Sequence, residues 1–257
     1  MLSYDPMQPT LASHALMTST DRLVSLLANA HPRSPMVWLG LYDSAFAALA
    51  VVAKADGLVV GDSVGPNALG LESMEQVTLD HMVHHASAVR RGAPTTPIIV
   101  DLPIRTQRLA PEQAVTGALH LWRETKADAI KLEGSEPEVT TLSLALASAS
   151  VTVCAHLVRD QSPMELHIEA ARAMGQARVC AAVLQGFSSD ESAILRRESG
   201  VPTIGVEQRA SCDGVVINAY RALGILPHRP SRGPRAEPGA LPADTLRQAV
   251  EALRRAE

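Results

Sequence analysis

Short apolar runs recur along this chain, and each stops on a polar residue. Residues 57–60 are followed by Gly61, Asp62 and Ser63. Residues 97–100 end at Asp101, residues 127–132 (which include Lys131) at Glu133, and residues 151–155 at His156. Residues 179–184 end at Gln185 and residues 202–206 at Glu207, while an earlier run, 37–41, reaches Tyr42 and Asp43. Helix-length segments separate the runs, and residues 214–220 supply one more. Buried strands alternating with helices predict a parallel sheet whose strand ends share one functional rim.

Eight strand–helix alternations within 257 residues predict an α/β fold, a (β/α)8 TIM barrel with its site at the C-terminal ends of the strands. A doubly wound open sheet is the rival, but Gly61, Gly65 and Gly70 lack dinucleotide-fingerprint spacing. Hydrophobic residues make up 46% and aromatic residues 3%, so the core rests on Val, Ile, Leu and Ala, which suits strands covered on both faces. The expected organisation is a flexible lead-in over 1–18, a barrel domain over 19–226, a Pro/Arg-rich linker over 227–240, and a closing helix over 241–257. That helix places Leu246, Val250 and Leu253 on one side to pack on the barrel.

A net charge of −4 gives no general attraction for nucleic acid or a membrane surface. The N-terminus lacks the basic start and apolar run of a signal peptide. No stretch approaches the roughly 18 consecutive apolar residues of a membrane helix. Cys154, Cys180 and Cys212 are too scattered for a disulfide framework and read as reduced, mostly buried thiols. A soluble cytoplasmic protein is expected.

Asp62, Asp101 and Glu133 end consecutive runs, so barrel closure would bring three carboxylates together. A hard divalent cation such as Mg²⁺ would relieve their repulsion, whereas each acid could instead cap the helix that follows it. Lys131 points to the same side of its strand as Glu133 and needs an acidic partner or an anionic ligand. His156 reads equally as a satisfied structural group or as a proton carrier. His81 and His85 stand four apart on a predicted outer helix, and a solvated or interface face suits them better than zinc.

At these residues the sequence resembles the ketopantoate hydroxymethyltransferase family (3-methyl-2-oxobutanoate hydroxymethyltransferase), whose barrel is of the phosphoenolpyruvate/pyruvate type. The resemblance rests on Val59-Val60-Gly61-Asp62-Ser63-Val64-Gly65, Ala88-Val89-Arg90-Arg91-Gly92-Ala93-Pro94, Val100-Asp101-Leu102-Pro103, Lys131-Leu132-Glu133-Gly134, Val153-Cys154-Ala155-His156-Leu157 and Pro202-Thr203-Ile204-Gly205. It implies transfer of a hydroxymethyl group from 5,10-methylenetetrahydrofolate to the carbon beside the carbonyl of a 2-oxo acid, through an enolate. It further implies Mg²⁺ on Asp62 and Asp101 with Glu133 close behind, Ser63 and Lys131 on the substrate carboxylate, His156 in proton movement or substrate positioning, and a homo-oligomer (a decamer in the family).

The chain departs from the family where the family's general base, a glutamate, would stand: here it is Gln185, which accepts no proton at neutral pH. The glycine-rich loop after the fifth run is shortened, and Glu207-Gln208-Arg209 replace a glycine-rich strand end. Three readings follow. The first is a hydroxymethyltransferase or aldolase using Glu207 or His156 as base. The second is a retro-aldol lyase or decarboxylase that needs no such base, and the third a catalytically silent homologue with a binding role.

Overall fold

A computed structural model describes residues 19–134, 137–209, 211–226 and 242–255. The expected lead-in over 1–18 and the linker over 227–240 lie outside them. In chain order the elements are α1 (Ser19–Ala28), β1 (Met36–Gly40), α2 (Ser44–Val52), β2 (Gly57–Val60), α3 (Leu79–Gly92), β3 (Ile98–Asp101), α4 (Ile104–Gln107) and α5 (Pro111–Thr125). There follow β4 (Ala129–Glu133), α6 (Pro137–Ser148), β5 (Val153–Val158), α7 (Met164–Gln176), β6 (Ala181–Gln185), α8 (Ser189–Ser199), β7 (Thr203–Val206), β8 (Gly214–Asn218), α9 (Ala219–Ala222) and α10 (Pro242–Arg255). The eight strands are parallel and close in sequence order, β8 returning to β1 from Met36↔Gly214 through Gly40↔Asn218. The expected TIM barrel is therefore the observed fold.

Small and branched side chains make closure feasible. Val59, Ile99, Ala129, Ala181 and Ile204 fill the interior around Trp38, and Leu23 and Leu27 of α1 join them. Gly57 makes room for the indole, since a Cβ there would lie 2.2 Å from Trp38 Cζ3. Leu246 and Val250 of α10 are buried, and that helix lies against α2.

Two expectations need correction. First, among the described residues no helix separates β7 from β8: residues 207–213 connect them, far fewer than the dozen or more residues a parallel crossover normally takes. Glu207 and Ser211 adopt left-handed backbone (φ 60° and 62°), and the loop folds back until Gln208 O would lie 2.1 Å from a Cβ on Gly205. The missing side chain at Gly205 is what lets the chain turn so tightly. Second, β5 begins later and runs on to Val158, so His156 sits within the strand instead of ending it.

The N-terminal ends of the strands carry a repeated device that the run pattern does not reveal. Asp56, Asp128 and Asp213 each precede an even-numbered strand, and each accepts a backbone N–H at the start of the strand before it. The donors are Val37 at 2.8 Å, Ile98 at 2.8 Å and Thr203 at 2.9 Å. Each aspartate also takes an arginine: Arg254 at 2.9 Å, Arg90 at 2.6 Å and Arg196 at 2.8 Å. These clamps pin strand register at the end of the barrel away from the rim, where residues serve stability. Asp128→Ala should cost about 3–5 kcal/mol, because it strands a nearly buried guanidinium and an amide. Asp56→Ala, facing the more exposed Arg254, should cost about 1–2 kcal/mol. Urea unfolding checks the order, and equal losses would refute it.

Candidate active site

At the opposite end the strand termini surround a cleft of about 250 Å³, lined among others by Asp62, Ser63, Asp101, Lys131, Glu133, His156, Gln185 and Glu207. The fold thus brings the predicted site residues to one cavity. After β2 the chain turns at once, Val64 N–H donating to Gly61 O and Gly65 N–H to Asp62 O, which sets Asp62 and Ser63 at the mouth. The long loop that follows contains a wide helical turn, Gly65–Leu69, which carries Asn67 back over Tyr42.

Lys131 is the hub. Its ammonium lies 3.0 Å from Asp101 Oδ2 and 3.1 Å from His156 Nδ1, with almost no exposure. Burial pulls its pKa down, but Asp101, Asp62 and Glu133 outweigh this and hold it above the usual lysine value. His156 goes the other way: burial and the Lys131 charge push its pKa below the ordinary value, so the imidazole is neutral. Its Nδ1 is 2.8 Å from Glu133 Oε2 and its Nε2 is 3.1 Å from Gln185 Oε1. The His156 contact is the main cause holding the Glu133 carboxyl below its usual value.

The carboxylates divide. Asp62 and Asp101 are adjacent: the Asp62 N–H donates to Asp101 Oδ2 at 3.3 Å. Burial, then the Asp101 charge, raise the Asp62 pKa to about 7. Glu133 instead turns to His156, and among the described residues no three His, Cys, Asp or Glu side chains form a ready metal cage. The remaining pair still fits a hard cation. Asp101 Oδ1 is buried with no hydrogen-bond partner, and a Cβ on Gly61 would intrude between Ser63 Oγ (3.1 Å) and Asp101 Oδ2 (3.3 Å). Mg²⁺ is commonly held by one or two carboxylates with water and substrate completing its shell.

Other candidates fall outside the chemistry. His85 Nδ1 contacts Tyr42 O at 2.8 Å and His81 completes a capping box with Thr78, so both belong to the packing of α3. Cys154 is buried, and contact with Cys180 together with burial raises its pKa well above the thiol norm, which rules out a ready thiolate. Glu207 stands on the β7 side, 3.7 Å from Arg221. Sequence reasoning missed Gln107, whose Oε1 accepts the Glu133 N–H at 3.0 Å and whose amide donates to Leu102 O. It missed Asn67 and Asn218 on the Tyr42 hydroxyl as well. No short-range spacing signals such pairs. A larger cavity of about 630 Å³, walled chiefly by α4, α5 and α6, reaches the same rim at Glu133 and Gly134.

A closed parallel barrel with acids, a lysine and a histidine on its C-terminal rim defines a class, that of the (β/α)8 barrels with a site at the strand ends. Two solved structures share the fold: 2,3-dimethylmalate lyase (TM-score 0.66, 20% identity, 82% of this chain and 81% of that one) and oxaloacetate acetylhydrolase (0.64, 18%, 79% and 80%). Within that class the family is specific. The sequence model of ketopantoate hydroxymethyltransferase matches residues 22–251, and the chain belongs to this enzyme family. The 3-methyl-2-oxobutanoate hydroxymethyltransferase of Deinococcus radiodurans is 34% identical over 75% of this chain and 73% of its own length. The enzyme of that name from Trichodesmium erythraeum is 32% identical over 84% and 88%. Among the described residues no helix is long and apolar enough to cross a membrane.

The raised Asp62 pKa has a consequence for stability. Between its ordinary 3.8 and about 7, the unfolded chain loses this proton before the folded one does. Without metal, stability therefore falls as pH rises through that window and levels off above it. Asp62→Asn should raise the melting temperature of chelator-treated protein at about pH 8 and change little near about pH 4. Mg²⁺ should raise the melting temperature of the wild type at the higher pH but not that of the variant. Equal stabilisation of both would refute the carboxylate pair as the cation site.

Proposed function

We propose that this chain is a divergent hydroxymethyltransferase that forms a C–C bond at the carbon beside the carbonyl of a 2-oxo acid. The observation that carries the reading is the Asp62–Asp101 pair with its unpartnered Asp101 Oδ1, set beside Lys131 and Ser63 in one cleft. Asp62 and Asp101 would hold Mg²⁺, with Glu133 close behind. When bound, the ion would draw electron density from the carbonyl and so acidify the adjacent C–H. Lys131 and Ser63 take the substrate carboxylate, the ammonium supplying charge and the hydroxyl direction.

The proton falls to His156. It is neutral, buried and reaches the cleft, and Gln185 suits it in either tautomer. An amide can accept from Nε2–H or donate to a bare Nε2, whereas a glutamate at 185 could only accept and would favour imidazolium. With Nδ1–H donating to Glu133, Nε2 carries the lone pair, which a substrate proton would claim in place of the Gln185 amide. Glu207, paired with Arg221, is the weaker candidate. The one-carbon donor, 5,10-methylenetetrahydrofolate by family likeness, has room in the larger cavity that meets the rim at Glu133. We carry over a homo-oligomeric assembly, for which exposed Val51 and Val52 on α2 supply apolar surface.

Gln185 itself favours one second reading. A lyase whose C–C cleavage leaves its electron pair beside the carbonyl asks for no carboxylate base at that position. Hydrogen–deuterium exchange at C3 of 2-oxoisovalerate, followed by NMR, separates the two without any one-carbon donor. Wild type with Mg²⁺ should exchange, His156→Asn should exchange at least about 100-fold more slowly, and Asp101→Asn should not exchange at all. The acid limb of the rate should lie below the ordinary histidine value of 6.5, since the base must be neutral and its pKa is lowered. Absence of exchange in wild type would favour cleavage over transfer.

A further inference from the structure

Tyr42 follows β1 and is almost wholly buried, yet its hydroxyl meets three polar side chains. Ser63 Oγ lies at 2.9 Å, Asn67 Nδ2 at 2.9 Å and Asn218 Nδ2 at 2.8 Å. A phenol has one proton and two lone pairs. The orientation of Asn218 is fixed independently, because its Oδ1 accepts the backbone N–H groups of Tyr220 (3.0 Å) and Arg221 (3.2 Å). Its NH₂ must therefore face Tyr42. Asn67 likewise donates through Nδ2, and the two amides fill both lone pairs. The phenolic proton is left with one acceptor, Ser63 Oγ.

The consequence falls on Ser63. Its oxygen accepts a hydrogen bond from the Tyr42 hydroxyl, so its own O–H points elsewhere. Gly61 keeps open the space between Ser63 Oγ and Asp101 Oδ2, where a Cβ would sit 3.1 Å from the first and 3.3 Å from the second. We propose that Tyr42, locked by Asn67 and Asn218, is a positioning residue that directs the Ser63 O–H toward the carboxylate of a bound 2-oxo acid. This rests on the reading above that such an acid occupies the cleft. The serine keeps one lone pair, so the device biases this point toward a ligand acceptor without excluding a donor.

The stacking of Tyr42 on Tyr220 (ring centroids 5.3 Å apart) means that Tyr42→Phe removes the hydroxyl while keeping the ring. The test is calorimetric titration of Mg²⁺-loaded full-length protein with 2-oxoisovalerate, using wild type, Ser63→Ala, Tyr42→Phe and the double variant. Ser63→Ala should weaken binding roughly ten- to hundredfold, the usual worth of a charge-assisted hydrogen bond. Tyr42→Phe should cost several-fold in the wild-type background and nothing further once Ser63 is alanine. A purely structural role for Tyr42 would give the same loss in both backgrounds and would overturn the relay. Should Tyr42→Phe melt early, Asn67→Ala, at a half-buried position, carries the same cycle. Binding that ignores Ser63→Ala overturns the inference alone, whereas wild-type protein that takes up no 2-oxo acid overturns it together with the function it rests on.

Discussion

A buried ammonium decides most of what this rim can do. Lys131 meets its nearest carboxylate in Asp101, and an unpaired lysine at that depth would shed its proton. Once the pair forms, its field sets the neighbours. The same positive charge helps keep His156 neutral, while the negative charge of Asp101 presses Asp62 toward its protonated form. Four titratable groups on three adjacent strands and the turn after β2 thus hold unlike protonation states at one pH. None of this needs a ligand. It follows from barrel closure, which puts successive strand ends side by side.

The two ends of the barrel use aspartate for opposite purposes. Asp128 at the lower end has every demand met, with an arginine, a backbone amide and the Thr20 hydroxyl as donors. Asp101 at the rim has Oδ2 satisfied and Oδ1 buried with nothing to accept from. Equal chemistry with unequal satisfaction separates scaffold from site. An orphaned acceptor beside a second carboxylate costs folding free energy, and a cation recovers it. Glu133 stays engaged with His156, which on the function proposed would leave an ion to Asp62 and Asp101.

How much was legible in sequence follows from the range of the interactions involved. Strand rims showed themselves because burial on both faces demands unbroken apolar runs, and a polar residue at the end of one stands out. The acids, Lys131 and Gln185 were therefore visible one by one. The turn after β7 was not, since a helix-free parallel crossover depends on left-handed Glu207 and Ser211 and on the absence of a side chain at Gly205. Nor was the rotation of Glu133 toward His156, which is set across neighbouring strands. The Asn218–Tyr42 contact joins residues 176 apart and leaves no local trace.

Gln185 shows how far one substitution can move a mechanism without moving a fold. In the family pattern the position holds a carboxylate, which would sit against His156 Nε2 and draw a proton onto the ring. An amide of the same shape fills the same space but adds no charge, so burial and Lys131 prevail and the imidazole stays neutral. On the function proposed, loss of a base at one residue makes a base of its neighbour. The exchange works only because Glu133 is already present on Nδ1 to orient the ring, and Gln107 in turn fixes the Glu133 backbone from the turn after β3. The chemistry of residue 185 is thus read through three others, each supplied by a different segment of the barrel.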